Sequence, residues 1–116
     1  MAIIFHITKR DAWTRANAEG SYRAEMFPIE GFIHCSTVDQ VIQVANLRFR
    51  GQTGLVLLSI NTVRVNAKII YENLEGGSQL FPHIYGELNI DAVAEVAEFE
   101  PGAEGHFTLP KGEGAR

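Results

Sequence analysis

The sequence predicts an α+β domain built on mostly antiparallel strands, and three observations lead there. Helical periodicity is confined to two segments in the first half of the 116-residue chain. Short apolar, β-branched runs punctuated by Gly and Pro dominate the second half. Strand and helix do not alternate to the end of the chain, as a doubly wound parallel sheet requires.

Residues 2–7 are mostly β-branched and aromatic and read as a first strand. Thr8, with Asp11 three residues on, resembles a helix start, and Gly20 supplies a stop. The short helix between them carries Ala12, Trp13 and Ala16, with Trp13 packing it onto the sheet. A loop through Pro28 leads into an apolar strand, Gly31 to Cys35. Thr37 followed by Gln40 fits a capping box. Val38, Val41, Ile42, Ala45 and Phe49 then recur at helical spacing until Gly51 and Gly54.

Beyond that point the chain reads as β. Leu55 to Ile60 and Lys68 to Glu72 are strands, and Gly76-Gly77 marks a flexible connection. Phe81 to Leu88 is a segment interrupted by Pro82 and Gly86; Val93 to Phe99 alternates weakly. His106 to Leu109 adds a last edge strand, and 111–116 forms a flexible tail, leaving one domain over 1–110. A chain of this length buries roughly two-thirds of its unfolded surface. Its core therefore needs no disulfide or structural metal.

Charge and cysteine content narrow the function. The net charge is −4, and the acidic excess lies in the second half, where four basic residues face nine acidic ones. Nucleic acid needs a clustered basic face, and no such run is present. A membrane role is not expected either, because the apolar run Leu55 to Leu58 is too short to span a bilayer and no basic amphipathic helix is visible. Cys35 is the single cysteine, and no signal-peptide pattern opens the chain, so a cytoplasmic location is expected. A small molecule is the expected partner; the oligomeric state is not legible.

Phosphate-loop and dinucleotide glycine patterns are absent, as is His-Glu-x-x-His. Polar residues planted in strands remain. His6 lies in the first strand, His34 in Phe-Ile-His-Cys-Ser-Thr and His83 in Phe-Pro-His-Ile-Tyr-Gly. Imidazole offers a donor and an acceptor near neutral pH, which suits it to orient hydroxyls or shuttle protons. The competing reading for each is a hydrogen-bonded structural histidine. A zinc hydrolase using all three is a further alternative, although no short-range ligand spacing supports it.

Cys35 reads as a buried thiol, since His34 beside it points to the other strand face. Ser36 and Thr37 fall at a helix start, where capping competes with reception of a ligand phosphate by free N–H groups. Tyr85 is either a stacking platform or a core aromatic. Glu72 and Glu87 are the carboxylates placed to line a cleft and stabilise positive charge on a sugar carbon. The acids from Glu95 to Glu104 read as solvated surface.

Taken together, Phe5-His6-Ile7, Trp13, Gly20-Ser21-Tyr22, Glu30 through Ser36, Gln40-Val41, Phe81 through Gly86 and His106-Phe107 with Leu109-Pro110 resemble the domain of unknown function 952 family. The likeness runs over roughly residues 3–110. That family is similar in fold to the ADP-ribosyltransferases, whose split sheet clamps NAD. The resemblance implies NAD, or a related nucleotide, as substrate or ligand, and a transferase or glycohydrolase acting on the nicotinamide–ribose bond. It implies His6 on the ribose and His34 on the opposite strand. On the same reading Phe32 or Tyr85 stacks on nicotinamide and His34 and His83 place or deprotonate an acceptor. Glu72 then stabilises the oxocarbenium, and Ser36 and Thr37 complete the ligand contacts. No metal is expected. A non-catalytic ligand-sensing or protein-interaction module is the alternative.

Overall fold

A computed structural model describes residues 2–24, 27–74 and 76–110. Among the described residues, eight strands and three α-helices form an α+β domain in which every strand pairing is antiparallel. In chain order they are β1 (Ile3–Lys9), α1 (Arg10–Glu19), β2 (Ser21–Tyr22), α2 (Phe27–Glu30), β3 (Ile33–His34), α3 (Val41–Arg48), β4 (Leu55–Asn61), β5 (Lys68–Glu72), β6 (Phe81–Tyr85), β7 (Leu88–Asn89) and β8 (Val93–Phe99). They assemble as three sheets, ordered β1-β4-β8, β2-β7 and β3-β6-β5.

The strongly apolar segment Leu55 to Ile60, interrupted only by Ser59, makes β4 the middle strand of the first sheet, buried on both faces. One face carries Phe5, Ile7, Leu55 and Leu57, packed on Val41 and Ala45 of α3 and on Phe99 and Phe107. The other carries Ile4, Val56, Leu58 and Ile60, packed on Ala16, Tyr22, Leu88 and the inner residues Ile33 and Ile84 of the third sheet. The first and third sheets therefore share a core. A single bridge also ties their backbones: Phe5 and Ser36 exchange two N–H···O=C bonds, each 2.8 Å.

Several local expectations change. Thr8 belongs to β1 rather than to a cap; α1 starts straight out of the strand, with the Arg10 N–H donating to the Gly54 carbonyl at 2.8 Å. Gly20 does end α1, in the left-handed region at φ 96°. The Pro28 loop contains the short α2, because proline's fixed φ suits the first turn of a helix. Half of the capping box forms: Gln40 Oε1 accepts from the Thr37 N–H at 3.0 Å, but a turn over 38–40 intervenes and α3 begins at Val41.

Residues 106–109 form no strand. Phe107 is held by its ring, stacked on Phe99 at 4.7 Å, and by its N–H on Asn46 Oδ1 at 2.7 Å. The Gly76-Gly77 connection is tied down, both N–H groups donating to Asn73 Oδ1. The tail 111–116 lies outside the described residues.

Gly86 separates β6 from β7 at a point of close approach. A Cβ there would lie 2.8 Å from the Ala67 Cβ, which has no rotamer by which to yield. Gly86→Ala should thus force a backbone shift and destabilise by about 1–3 kcal/mol. Urea unfolding should register it as a lower midpoint with an unchanged slope; an unchanged midpoint contradicts the close packing of β6 on Ala67.

Candidate functional site: an imidazole and aromatic face on the third sheet

Strand alternation determines which side chains meet. In β3 and β6, Ile33 and Ile84 are partners and both are fully buried in the shared core. Their neighbours must point the other way. His34 and His83 are thus directly opposed on the outer face, with Tyr85 two residues along β6. From β5 the register adds Lys68 across from Tyr85, Ile70 across from His83 and Glu72 across from Phe81. Phe32, two residues before His34, falls on the same face.

These groups touch one another. Phe32 stacks on His83 at 4.3 Å and 22° and lies 5.2 Å from Tyr85. His34 stands edge-on to Phe32 at 4.8 Å and to His83 at 5.2 Å. Under this cover His83 is 4% exposed and Phe32 7%. The Phe32 ring is thereby spent on His83 and is not an open platform.

Glu72 organises the protons. Its Oε2 accepts from His83 Nδ1 at 2.8 Å and, by a short bond, from the Tyr85 hydroxyl. Those two bonds hold the Glu72 carboxyl below its usual range, and donation to the carboxylate pushes the Tyr85 phenol up. A carboxylate only accepts, so the His83 proton resides on Nδ1 and Nε2 keeps its lone pair. That Nε2 has no hydrogen-bond partner among the described residues and is not sealed from solvent. Glu72 is thus a partner of His83 and Tyr85 rather than a free carboxylate for a sugar carbon. His34 is about half exposed, and its Nε2 donates to Glu30 Oε1 at 3.0 Å.

His6 is placed apart from this face, behind it. Its Nδ1 meets the His34 carbonyl at 2.5 Å, so Nδ1 carries the proton. Its Nε2 lies 2.7 Å from the Tyr22 hydroxyl, which donates to it; the Tyr22 oxygen lies 2.9 Å from Thr8 Oγ1. Burial pushes the His6 pKa down to about 4, so the ring is neutral at pH 7. With both nitrogens committed and 7% exposure, His6 positions His34 and does not reach a ribose directly.

The three-histidine metal arrangement is not assembled for the same reason. Among the described residues no group of three or more His, Cys, Asp or Glu is placed to hold a metal ion. Ser36 and Thr37 offer no free N–H for a phosphate, because the first donates to the Phe5 carbonyl and the second to Gln40. Cys35 is buried and its thiol pKa is raised by burial, as a core residue's would be.

Two surface hollows, about 210 Å³ between α1 and β2 and about 350 Å³ around Asn73 to Phe81, contain none of the histidines. His34 and His83 share the outer face of the third sheet, and His6 lies behind it. Sequence reading missed Glu30, Lys68 and Tyr22. Glu30 carried a signal, its i,i+4 spacing to His34; Lys68 and Tyr22 become visible only through register and tertiary packing.

Fold and site together define a small α+β domain with a carboxylate-held imidazole on the outer face of a sheet. The model for the Protein of unknown function (DUF952) family matches residues 7–96, and the chain belongs to that family. It is similar to CC0527 from Caulobacter crescentus. The crystal structure of a double mutant of that protein is 33% identical, with a TM-score of 0.83 over 92% of this chain and 94% of that one. The crystal structure without those mutations is 32% identical at the same TM-score and coverage. Its solution NMR structure is 33% identical, with a TM-score of 0.79 over 91% of each chain. No curated protein matches. No helix among the described residues is long and apolar enough to cross a membrane.

The buried His6 sets a pH dependence. Its pKa is about 4 folded against 6.5 for an ordinary histidine. Between those values the unfolded chain binds the extra proton, so stability is full above pH 6.5 and falls as pH drops toward 4. The loss over that window should be about 3 kcal/mol. His6→Gln should flatten it, leaving only the carboxylate losses at lower pH; a wild-type stability constant from pH 7 to 4.5 contradicts a buried neutral His6.

Proposed function

We propose that the outer face of the third sheet binds NAD or a related nucleotide, and that His83 is its proton acceptor. The observation that carries this reading is the Glu72–His83 pair: Nδ1 fixed at 2.8 Å from the carboxylate, Nε2 without a hydrogen-bond partner among the described residues. A carboxylate behind an imidazole selects the tautomer and steadies the imidazolium formed on proton uptake. Tyr85 and the exposed edge of His34 give a planar ring something to rest on. NAD in particular is favoured by the similarity in fold to ADP-ribosyltransferases that the family resemblance implies, an argument from fold rather than site.

In the reaction proposed, the bond between nicotinamide and ribose C1′ breaks with both electrons leaving on nicotinamide. Water bonds to C1′ and gives its proton to His83 Nε2. Glu72 stabilises the resulting imidazolium, and His6 acts at one remove, through the His34 backbone. A non-catalytic ligand-sensing module is the second reading; it is favoured by the commitment of Glu72 to His83 and Tyr85 rather than to a sugar carbon.

Titration calorimetry with NAD, ADP-ribose and nicotinamide, followed by chromatographic detection of nicotinamide, tests both. His83→Asn keeps a donor toward Glu72 and should bind NAD as the wild type does while releasing nicotinamide about 100-fold more slowly. Binding without turnover in either protein selects the sensing module. No heat and no nicotinamide at millimolar ligand removes the NAD reading.

A further inference from the structure

Nicotinamide leaves NAD as a neutral molecule, so its departure needs no proton donor. One imidazole, to take a proton from the acceptor, suffices for that chemistry. The face carries two. His34 and His83 are cross-strand partners with ring centres 5.2 Å apart, and they are held in unlike ways. His83 has its proton toward Glu72 and a lone pair at Nε2. His34 directs Nε2–H at Glu30, and its Nδ1 has no partner among the described residues. A base and a separately held acid, side by side, suit a reaction whose leaving group is an alkoxide, which departs only with a proton. Lys68 adds a third group. It stands across from Tyr85 on the same face, is exposed, and makes no ion pair among the described residues.

We infer that this face hydrolyses small phosphodiesters with its paired imidazoles, and that nucleoside 2′,3′-cyclic phosphates are the substrate class. Water oxygen bonds to phosphorus as His83 Nε2 takes a water proton. The P–O2′ bond breaks, its electron pair stays on O2′, and the His34 imidazolium supplies that oxygen with a proton from Nδ1. The product is a nucleoside 3′-monophosphate. Solvent then returns His83 to neutral and His34 to imidazolium. Glu72 steadies the His83 imidazolium, and the Lys68 ammonium opposes charge on the non-bridging phosphoryl oxygens. A net charge of −4 without a basic stripe fits a small diester rather than a polymer. The nucleoside half of the inference rests on the nucleotide reading above; the phosphodiester half does not.

The test incubates the full chain with 2′,3′-cyclic AMP, or with bis(4-nitrophenyl) phosphate, in EDTA and without NAD. Nitrophenolate leaves without a proton, so the two substrates separate acid from base. Wild type should hydrolyse both. His34→Ala, at an exposed position, should lose about 100-fold on cyclic AMP and about tenfold or less on the nitrophenyl ester, whose leaving group needs no proton. His83→Asn should lose both, and Lys68→Met should slow both with an unchanged circular dichroism spectrum. Absence of hydrolysis overturns the inference, as does abolition by EDTA or an equal loss on both substrates in His34→Ala. Cyclic AMP hydrolysis with NAD left intact supports this inference and removes the NAD reading; nicotinamide release without diester hydrolysis does the reverse.

Discussion

One buried contact joins the two main sheets at the site: the His6 imidazole, donating from Nδ1 to the His34 carbonyl at 2.5 Å. The Phe5–Ser36 bridge lies one residue along on β1 and ties it to the segment just beyond β3. Between them, the backbone that carries His34 is fixed to the central sheet from beneath. A buried donor or acceptor deprived of its partner costs about 1–3 kcal/mol. Here two groups, the His34 carbonyl and the Tyr22 hydroxyl, bond one neutral ring. The desolvation that keeps His6 uncharged also keeps this junction intact.

The outer face follows from that junction by strand alternation. With Ile33 and Ile84 turned into the shared core, His34 and His83 have no other direction to take. Phe32 then covers His83, and Glu72 reaches it from β5, so a histidine that is 4% exposed keeps one nitrogen without a hydrogen-bond partner among the described residues. Burial by an aromatic neighbour lowers the local dielectric and strengthens the carboxylate–imidazole bond. The same arrangement makes Tyr85 a partner of Glu72.

Much of this was legible in the residues. The central strand showed as a strongly apolar run, and Gly20 marked the end of the first helix through its need for positive φ. The motif around His34 and that around His83 pointed to one site, and they do meet. His6 looked equivalent to them because it also lies in an apolar strand, but a local pattern says nothing about what covers a side chain. Tyr22 and the His34 carbonyl satisfy it from 16 and 28 residues away in sequence, so neither contact is local. The helix start at Thr37 was misplaced because Gln40 does two jobs, taking the Thr37 N–H and donating to the Leu80 carbonyl at 2.8 Å. Phe107 looked like strand for its apolar neighbours, whereas ring stacking on Phe99 satisfies it without a ladder.

Histidine tautomers measured by long-range proton–nitrogen NMR near pH 7.5 address the central arrangement directly. His6 and His83 should both carry their proton on Nδ1, and the His6 ring should stay neutral down to about pH 4. A proton on Nε2 of His83, or a His6 ring that titrates near 6.5, would contradict both the junction and the face built upon it.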